Sequence, residues 1–356
     1  EENARLWPDY SGLPKNVPIH VTGNPRGDML RPEITDYFAD EAEQLRAAYG
    51  DFILLNTNFS NVNAFYPILN LFLPAGKPGE EPRFGRGAVG MSRKYAEGLR
   101  NHKQAVFEDF QRLIPALEKD FPTSKIVVRP HPTESQEIYH EIASQCSRVW
   151  VRNQGNVVPW LMAAKALVHN GCTTGIEAYL LGVPAVSYQA TFSEYYDCGY
   201  YRLPNSLSHQ CRNYDDVVMT LRKVLSGDLG AAGGKERREL MEYYLTARDG
   251  PFACERILDA LEEVVKDRPR LTEPALKDRL YGRFMAAKRR AVKRVKSYAP
   301  KSKYRPEFQR HRYPGFSLDE LSTALSRFQG LLGQTEELAV EQLSDYIFRI
   351  TRQGNA

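Results

Sequence analysis

The chain alternates short apolar runs with longer segments in which apolar residues recur at helical spacing. Apolar runs typical of buried strands lie at Phe52–Asn56, Lys125–Arg129, 166–168 and Ala185–Tyr188. Shorter candidate strands lie at 17–22 and 148–151. Helical spacing covers 33–49, 93–119, 157–164, Tyr214–Leu225 and 236–265, and another helix is expected from about residue 133. Because strands alternate with helices, the pattern predicts an α/β fold with a doubly wound parallel sheet.

Three polar loops follow the predicted strands, at 56–59, 129–132 and 169–175. Ligands of doubly wound sheets bind beyond the carboxyl ends of the strands. We therefore expect the three loops to converge on one site.

The loop at 169–175 is rich in small residues, which let a ligand approach the backbone closely. The helix that follows would direct free N–H groups at an anion, and a threonine could cap that helix or bind the anion. Glu177, one turn into the helix, suits sugar hydroxyls better than phosphate. An ordinary strand–loop–helix joint would explain the same pattern. The loop residues assigned to the site are Asn170, Gly171, Thr173, Thr174 and Gly175.

Two prolines restrict His131 within the loop at 129–132, which suits contact with a phosphate oxygen or a leaving group. His131 is therefore the candidate catalytic residue, and Arg129 could add a charge-assisted bond to phosphate. Thr57 and Asn58 are short polar donors in the loop at 56–59. A loop-capping role for His131, a surface ion pair for Arg129 and turn chemistry for the other two remain alternatives.

The basic character of the chain is confined to one segment. The 356 residues carry a net charge of +4, yet 277–312 holds fourteen Lys or Arg against two acidic residues. A nucleic-acid-binding surface over the whole fold is therefore not expected. An apolar stripe runs through a predicted helix in this segment, at Leu276, Leu280, Phe284, Ala287, Ala291, Val295 and Tyr298. The helix either packs on the domain through its stripe or lies on an anionic membrane surface.

Composition limits the other classes of site. No run approaches the roughly 18 apolar residues of a membrane span. The five cysteines have no metal-site spacing, which favours a reducing cytoplasm over a disulfide framework. No carboxylate cluster indicates a metal ion, so neither a metal nor another cofactor is expected.

Several stretches together resemble the bacterial surface-carbohydrate (polysaccharide) biosynthesis proteins, which have the two-domain GT-B glycosyltransferase fold. They are VTGNPRGDMLRPE at 21–33, GDFILLNTNF at 50–59, RPHPTE at 129–134, NGCTTGIEAYLLGVPAV at 170–186, LPNSLS at 203–208 and YPGFSLDEL at 313–321. The resemblance implies a remnant of an N-terminal acceptor domain with its linker at 1–32, most of that domain being absent. It further implies a Rossmann-like donor domain at 33–265, and a basic amphipathic helix with a helical extension at 266–356.

The resemblance also implies roles for site residues. His131 and the pair Thr173 and Thr174 resemble nucleotide-phosphate motifs of transferases that use CMP-Kdo or CMP-sialate. Glu177 resembles the ribose-binding acid of GT-B enzymes. Similar loops occur in the non-hydrolysing UDP-sugar 2-epimerases.

The loops, together with this resemblance, predict a cytoplasmic glycosyltransferase, which is peripheral on the inner face of the membrane if the basic helix binds lipid. It would move a sugar from a nucleotide-activated donor, CMP-Kdo-like, to a growing surface polysaccharide or a lipid-linked glycan. Its partners would be the donor, the acceptor and, through 277–312, anionic lipid, with no nucleic acid. A sugar-nucleotide epimerase and a non-catalytic component of a membrane-bound polysaccharide assembly are the alternatives.

Overall fold

The computed structural model describes residues 5–10, 12, 14, 17–74, 81–266, 274–299, 302, 304–312, 315–344 and 346–352. The chain forms two compact units, Glu1–Cys254 and Glu255–Ala356. Residues 300, 301 and 303 of the basic segment, and 313–314 of the last quoted motif, lie outside the described residues.

A six-stranded parallel sheet, in the order β3-β2-β1-β4-β5-β6, forms the centre of the first unit. The chain winds outward from β1 towards β3 and then from β4 towards β6, so β1 and β4 flank the switch point of a doubly wound sheet. The predicted fold class is thereby confirmed. The strands are β1 (Phe52–Asn56), β2 (Lys125–Arg129), β3 (Val149–Val151), β4 (Ala166–His169), β5 (Ala185–Tyr188) and β6 (His209–Cys211).

Helices cover both faces of this sheet, and further helices lie before, between and after them along the chain, the last of them crossing from the first unit into the second. In chain order they are α1 (Pro25–Asp28), α2 (Pro32–Thr35), α3 (Ala39–Tyr49), α4 (Arg93–Asp120), α5 (Glu137–Ser144), α6 (Val157–Ala163), α7 (Thr174–Leu180), α8 (Arg202–Ser206), α9 (Tyr214–Leu225), α10 (Lys235–Tyr244) and α11 (Ala253–Lys266).

Alternate residues of β1 face the two layers of helices. Ile53 and Leu55 are buried in the core formed with α4, α5 and α9, whereas Phe52 and Leu54 are buried in the core formed with α3, α6 and α7. Because both faces are covered, the strand is apolar at every position before Asn56, as expected for a central parallel strand. The polar residues at its carboxyl end are therefore free to form a site.

Some sequence predictions differ from the structure. Residues 17–22, predicted as a strand, have no regular secondary structure, and Val17, Ile19 and Val21 among them are exposed. The helix expected from about residue 133 begins at Glu137, because 133–135 instead bond to the loop at 63–65. The helix predicted at 33–49 is divided by a 3₁₀ turn at Asp36–Phe38 into α2 and α3.

The second unit contains α12 (Leu276–Ser297), α13 (Pro306–Arg312), α14 (Leu318–Leu331) and an antiparallel hairpin of β7 (Leu338–Ser344) and β8 (Ile347–Arg352). The hairpin differs from the wholly helical extension expected after residue 266. Among the described residues, no helix combines the length and apolar character that crossing a membrane requires.

Candidate functional site

A cavity of about 500 Å³ lies beyond the carboxyl ends of β1, β2 and β4, at the switch point of the sheet. We call it the β1–β4 cavity. Six of the residues predicted for the site line it, namely Thr57, Arg129, His131, Thr173, Thr174 and Glu177. Arg26, Asn56 and Asn153 also line it, and sequence reasoning assigned none of these three to the site. The three predicted loops therefore do converge.

Four predicted site residues do not line this cavity. Asn170 donates a hydrogen bond to the carbonyl of Tyr188, and Gly171, with φ +59°, donates its N–H to Asn205. Gly175 packs so closely on His169 that an added Cβ would lie 2.6 Å from the ring. Asn58 is half-buried away from the cavity wall.

A buried carboxylate, Glu134, joins the loops after β1 and β2. It accepts hydrogen bonds from the hydroxyls of Thr57 and Tyr139, at 3.0 and 2.6 Å, and from the backbone N–H of His131 at 3.1 Å. Burial raises the pKa of Glu134, and its hydrogen bonds oppose that rise. The network holds the backbone of His131 in place at the cavity.

His131 lines the cavity and uses one of its two ring nitrogens within its own loop. Its Nδ1 accepts the backbone N–H of Thr133 at 3.3 Å and lies 2.8 Å from the hydroxyl of the same residue. With Nδ1 an acceptor, the proton of the neutral ring is on Nε2, which has no partner among the described residues. Desolvation lowers the pKa of His131 from 6.5, although the ring edge remains exposed. The neutral ring can therefore donate from Nε2 to a ligand.

The guanidinium of Arg129 is bonded mainly to the protein backbone. Its Nη1 and Nη2 donate to the carbonyl oxygens of Gln154 and Gly155, at 2.8 and 2.6 Å, and its guanidinium lies over the ring of Trp160. Burial lowers the pKa of Arg129 to about 10, so the group remains charged at neutral pH. Its charge lies at the cavity, while both terminal nitrogens hold the loop after β3.

The wall formed by α7 is polar. Asn56 donates from Nδ2 to the hydroxyl of Thr174 at 3.1 Å, and that hydroxyl lies 3.1 Å from the sulfur of Cys172. Thr173 is the N-cap residue, with no side-chain capping bond, so its hydroxyl is not used by the helix. Three buried atoms of cavity-lining residues have no hydrogen-bond partner within the part of the chain that the structure describes, namely Asn56 Oδ1, Asn153 Nδ2 and Glu177 Oε2. Such atoms are costly unless a ligand or water pairs with them.

Glu177 is buried and bonded to a cation that the sequence did not indicate. Its Oε1 accepts a 2.6 Å bond from Nε of Arg26, which is on α1. The two residues are 151 positions apart, so no local pattern could have joined them. Arg26, Glu177 and Glu134 all lie within the motifs given above, and Asn56 ends a predicted strand, but nothing in the spacing of these residues revealed their partners.

His169, at the end of β4, is part of the protein interior. Its Nε2 lies 2.9 Å from the hydroxyl of Ser208, which itself donates to the carbonyl of Pro204. Complete burial lowers the pKa of His169 to about 3, so the ring is neutral at physiological pH. His169 therefore packs against Gly175 in the interior and does not line the cavity.

A larger cavity, about 660 Å³, lies beside the same short helix α1. Its walls come from 19–25, the start of α2 and the segment 244–249, and none of the residues predicted for the site lines it. Among the described residues, no group of three or more His, Cys, Asp or Glu side chains could hold a metal ion. The predicted site residues that line a cavity are therefore all at the β1–β4 cavity.

Solved structures similar to this chain include sugar-nucleotide enzymes at low sequence identity. UDP-GlcNAc 2-epimerase from Neisseria meningitidis, bound to UDP-GlcNAc, is 15% identical, with a TM-score of 0.38 over 68% of this chain and 55% of that one. The Methanocaldococcus jannaschii UDP-GlcNAc 2-epimerase is 13% identical, with a TM-score of 0.38 over 73% and 58%. The wall teichoic acid polymerase TagF is 11% identical, with a TM-score of 0.37 over 69% and 52%.

The chain thus spans about half the length of these solved structures. No protein-family model matches it. No curated protein sequence matches it either.

Proposed function

We propose that the β1–β4 cavity binds a nucleotide-activated sugar and that the protein transfers this sugar to a glycan or lipid-linked acceptor. The observation that carries the proposal is the set of unpartnered polar atoms of Asn56, Asn153 and Glu177 at the switch point of the sheet. Ligands of doubly wound sheets bind at this point. A nucleotide sugar supplies hydroxyl donors and phosphate acceptors that match such a wall.

In this proposal the donor phosphate faces His131 and Thr173. The Nε2–H of His131 and the hydroxyl of Thr173 would donate to its oxygens, and the charge of Arg129 would favour the anion. Groups held in place before the reaction stabilise charge on a leaving phosphate. The role of His131 is thus to hold a proton against the departing phosphate, and the proposal includes no metal.

The ribose would lie against Glu177. Its Oε2 is buried and unpartnered, so a ribose hydroxyl would satisfy it, while Oε1 stays bonded to Arg26. The amide oxygen of Asn56 could accept a second hydroxyl from the ligand. This assignment retains the ribose role expected from the sequence.

Titration calorimetry with CMP, CDP, UDP and GDP tests the binding step. We expect one of these nucleotides to bind, and His131→Ala to weaken that binding while leaving the unfolding temperature unchanged. Absence of binding by all four, to a folded protein, would contradict the proposal.

Incubation with nucleotide sugars, CMP-Kdo included, and a glycan or lipid-linked acceptor then separates the possible activities. Transfer supports the proposed reaction. Epimerisation of the donor would identify the alternative enzyme, and binding without turnover would favour the non-catalytic role.

The second unit favours peripheral attachment at the cytoplasmic face of the membrane as part of the same function. The apolar stripe on α12 is exposed, including Leu276, Phe284 and Val295, and basic residues surround it. A basic amphipathic helix with an exposed apolar face is the form that binds anionic lipid surfaces. A lipid-linked acceptor would be found there.

A further inference from the structure

Arg26 lines the β1–β4 cavity and has terminal donors that are available to a ligand. Its side chain is 56% exposed, and its Nε is bonded to Glu177. Nη1 and Nη2 have no partner among the described residues. Arg129, the other arginine lining this cavity, uses both of its terminal nitrogens on backbone carbonyls.

The backbone of Arg26 is fixed on both sides. Asn24 caps α1 by accepting the N–H of Arg26 at 2.9 Å, and Pro25 restricts the first turn. Asp28, at the other end of α1, is buried and accepts the N–H groups of Ala253 and Cys254, at 2.8 and 3.0 Å. The guanidinium is therefore held at the cavity rather than carried on a loose segment.

The ion pair with Glu177 leaves the phosphate-binding edge of the guanidinium unused. An arginine has five N–H donors in a planar fork, and Nε supplies only one of them. The bond from Nε to Glu177 Oε1 orients the plane, and the remaining four donors suit two phosphate oxygens. The arrangement resembles a preorganised anion contact, since the carboxylate restricts the side chain before the ligand arrives.

We infer that Arg26 binds the phosphate of the ligand in the β1–β4 cavity, and that Glu177 is a positioning residue which orients Arg26 through Oε1. This inference rests on the proposed function for the identity of the ligand, but the phosphate contact itself can be measured without a nucleotide. The inference makes α1 part of the site. It assigns to Arg26 the charge-assisted bond to phosphate that the sequence predicted for Arg129.

Titration calorimetry with inorganic pyrophosphate, and separately with UDP and CDP, tests the inference on the full chain. Arg26→Gln should weaken binding of pyrophosphate, and of whichever nucleotide binds, by about tenfold or more, because charge-assisted bonds are lost. Arg26→Lys should recover part of this loss, since it keeps the charge without the fork. The matched control is Arg112→Gln, which removes an exposed arginine paired with Asp109 outside the cavity and should change neither affinity.

A double-mutant cycle with pyrophosphate tests the positioning role. Glu177→Gln should weaken binding in the wild-type background and have no further effect in the Arg26→Gln background. Pyrophosphate has no ribose, so a ribose contact of Oε2 does not enter this measurement. Additive losses would show that Glu177 acts independently of Arg26 and would overturn its positioning role.

The outcomes separate the inference from the proposed function. If the wild type binds a nucleotide and pyrophosphate, but Arg26→Gln binds both equally well, the inference is overturned while the proposed function stands. If the wild type binds pyrophosphate through Arg26 but no nucleotide, the phosphate site stands and the proposed function falls. If the folded wild type binds neither, both are overturned.

Discussion

Thr57 and Glu134 are joined by a hydrogen bond of 3.0 Å between the threonine hydroxyl and one carboxylate oxygen, although they are on different loops. Both residues are buried. Thr57 follows β1 and Glu134 follows β2, and the two strands are neighbours in the sheet. The bond therefore connects two of the three loops that form the β1–β4 cavity.

Loss of the Glu134 carboxylate should destabilise the protein. Glu134→Ala leaves the hydroxyls of Thr57 and Tyr139 and the N–H of His131 without their acceptor. We expect the free energy of unfolding to fall by about 3 kcal/mol, since buried donors are left unpaired. Denaturant unfolding measures this change.

Glu137→Ala is the control for Glu134→Ala, because Glu137 is an exposed acid only three residues away. It should change the free energy of unfolding by less than about 0.5 kcal/mol. Equal effects of the two substitutions would mean that the buried network contributes nothing beyond an ordinary surface carboxylate.

The strands show how far the sequence pattern could lead. The bounds of β1, β2 and β5 were predicted correctly, because unbroken apolar runs between turn residues are typical of central parallel strands. β6 is three residues long and reads His-Gln-Cys, so it has no apolar run to detect. The hairpin of β7 and β8 was missed, although Val340 pairs with Ile350 and Leu338 alternates onto the same face of the hairpin.

Nucleotide binding should strengthen as the pH falls towards the pKa of His131. That pKa lies below 6.5 because of desolvation, so the ring is neutral at pH 7 and becomes a cation on acidification. A nearby phosphate favours the cationic form, and by linkage the cationic form favours the phosphate. Calorimetry between about pH 5.5 and about pH 8, a range that brackets the reference pKa of histidine, measures the dependence.

His131→Gln should remove this part of the pH dependence, whereas His140→Gln, on the exposed side of α5, should retain it. The phosphate itself also titrates near pH 6, so the comparison between variants isolates the histidine. Identical pH profiles for wild type and His131→Gln would exclude a phosphate contact by this ring.

The free energy of unfolding should depend on pH through His169. It should fall on acidification, whereas nucleotide binding should strengthen. The pKa of His169 is about 3 in the folded protein and about 6.5 when unfolded, so the unfolded state takes up a proton first. The contribution of the neutral His169 ring to the free energy of unfolding is fully present above about pH 6.5. It is lost as the pH falls towards 3, by about 1.4 kcal/mol per pH unit. Denaturant unfolding of wild type and His169→Gln at several pH values measures the difference, which should shrink on acidification. A difference that is constant with pH would show that His169 does not remain neutral in the folded state.

The sequence predicted where the candidate site lies better than it predicted the contacts that its residues make. Strand ends and loop composition located His131 and Thr173 correctly at the cavity wall, since both follow directly from the strand–loop–helix pattern. The partners of Arg129 and Glu177 depend on which backbone carbonyl or cation lies nearby, and that is fixed by tertiary packing. For this reason the sequence assigned no role to Arg26, although it lies within the motif at 21–33.

The basic helix α12 should bind anionic vesicles reversibly. Its stripe contains two alanines, so the apolar contact is shallow, while each basic residue near the surface adds about 1 kcal/mol of attraction. We expect sedimentation with vesicles that contain phosphatidylglycerol at low salt, and loss of this binding at high salt. Replacement by Gln of Lys288, Arg289, Arg290, Lys293 and Arg294 should abolish it.

A matched control for the α12 variant removes the same charge from the first unit. Five exposed basic residues serve for this purpose when replaced by Gln, namely Lys94, Lys119, Arg222, Lys223 and Arg238. If net charge alone attracts the protein, both variants lose vesicle binding equally. If α12 is the contact, only the variant in α12 loses it, because attraction to the lipid surface falls off within about 10 Å of the charges. If the wild-type protein does not bind phosphatidylglycerol vesicles at low salt, membrane attachment through α12 is contradicted. The exposed stripe of α12 would then need another partner.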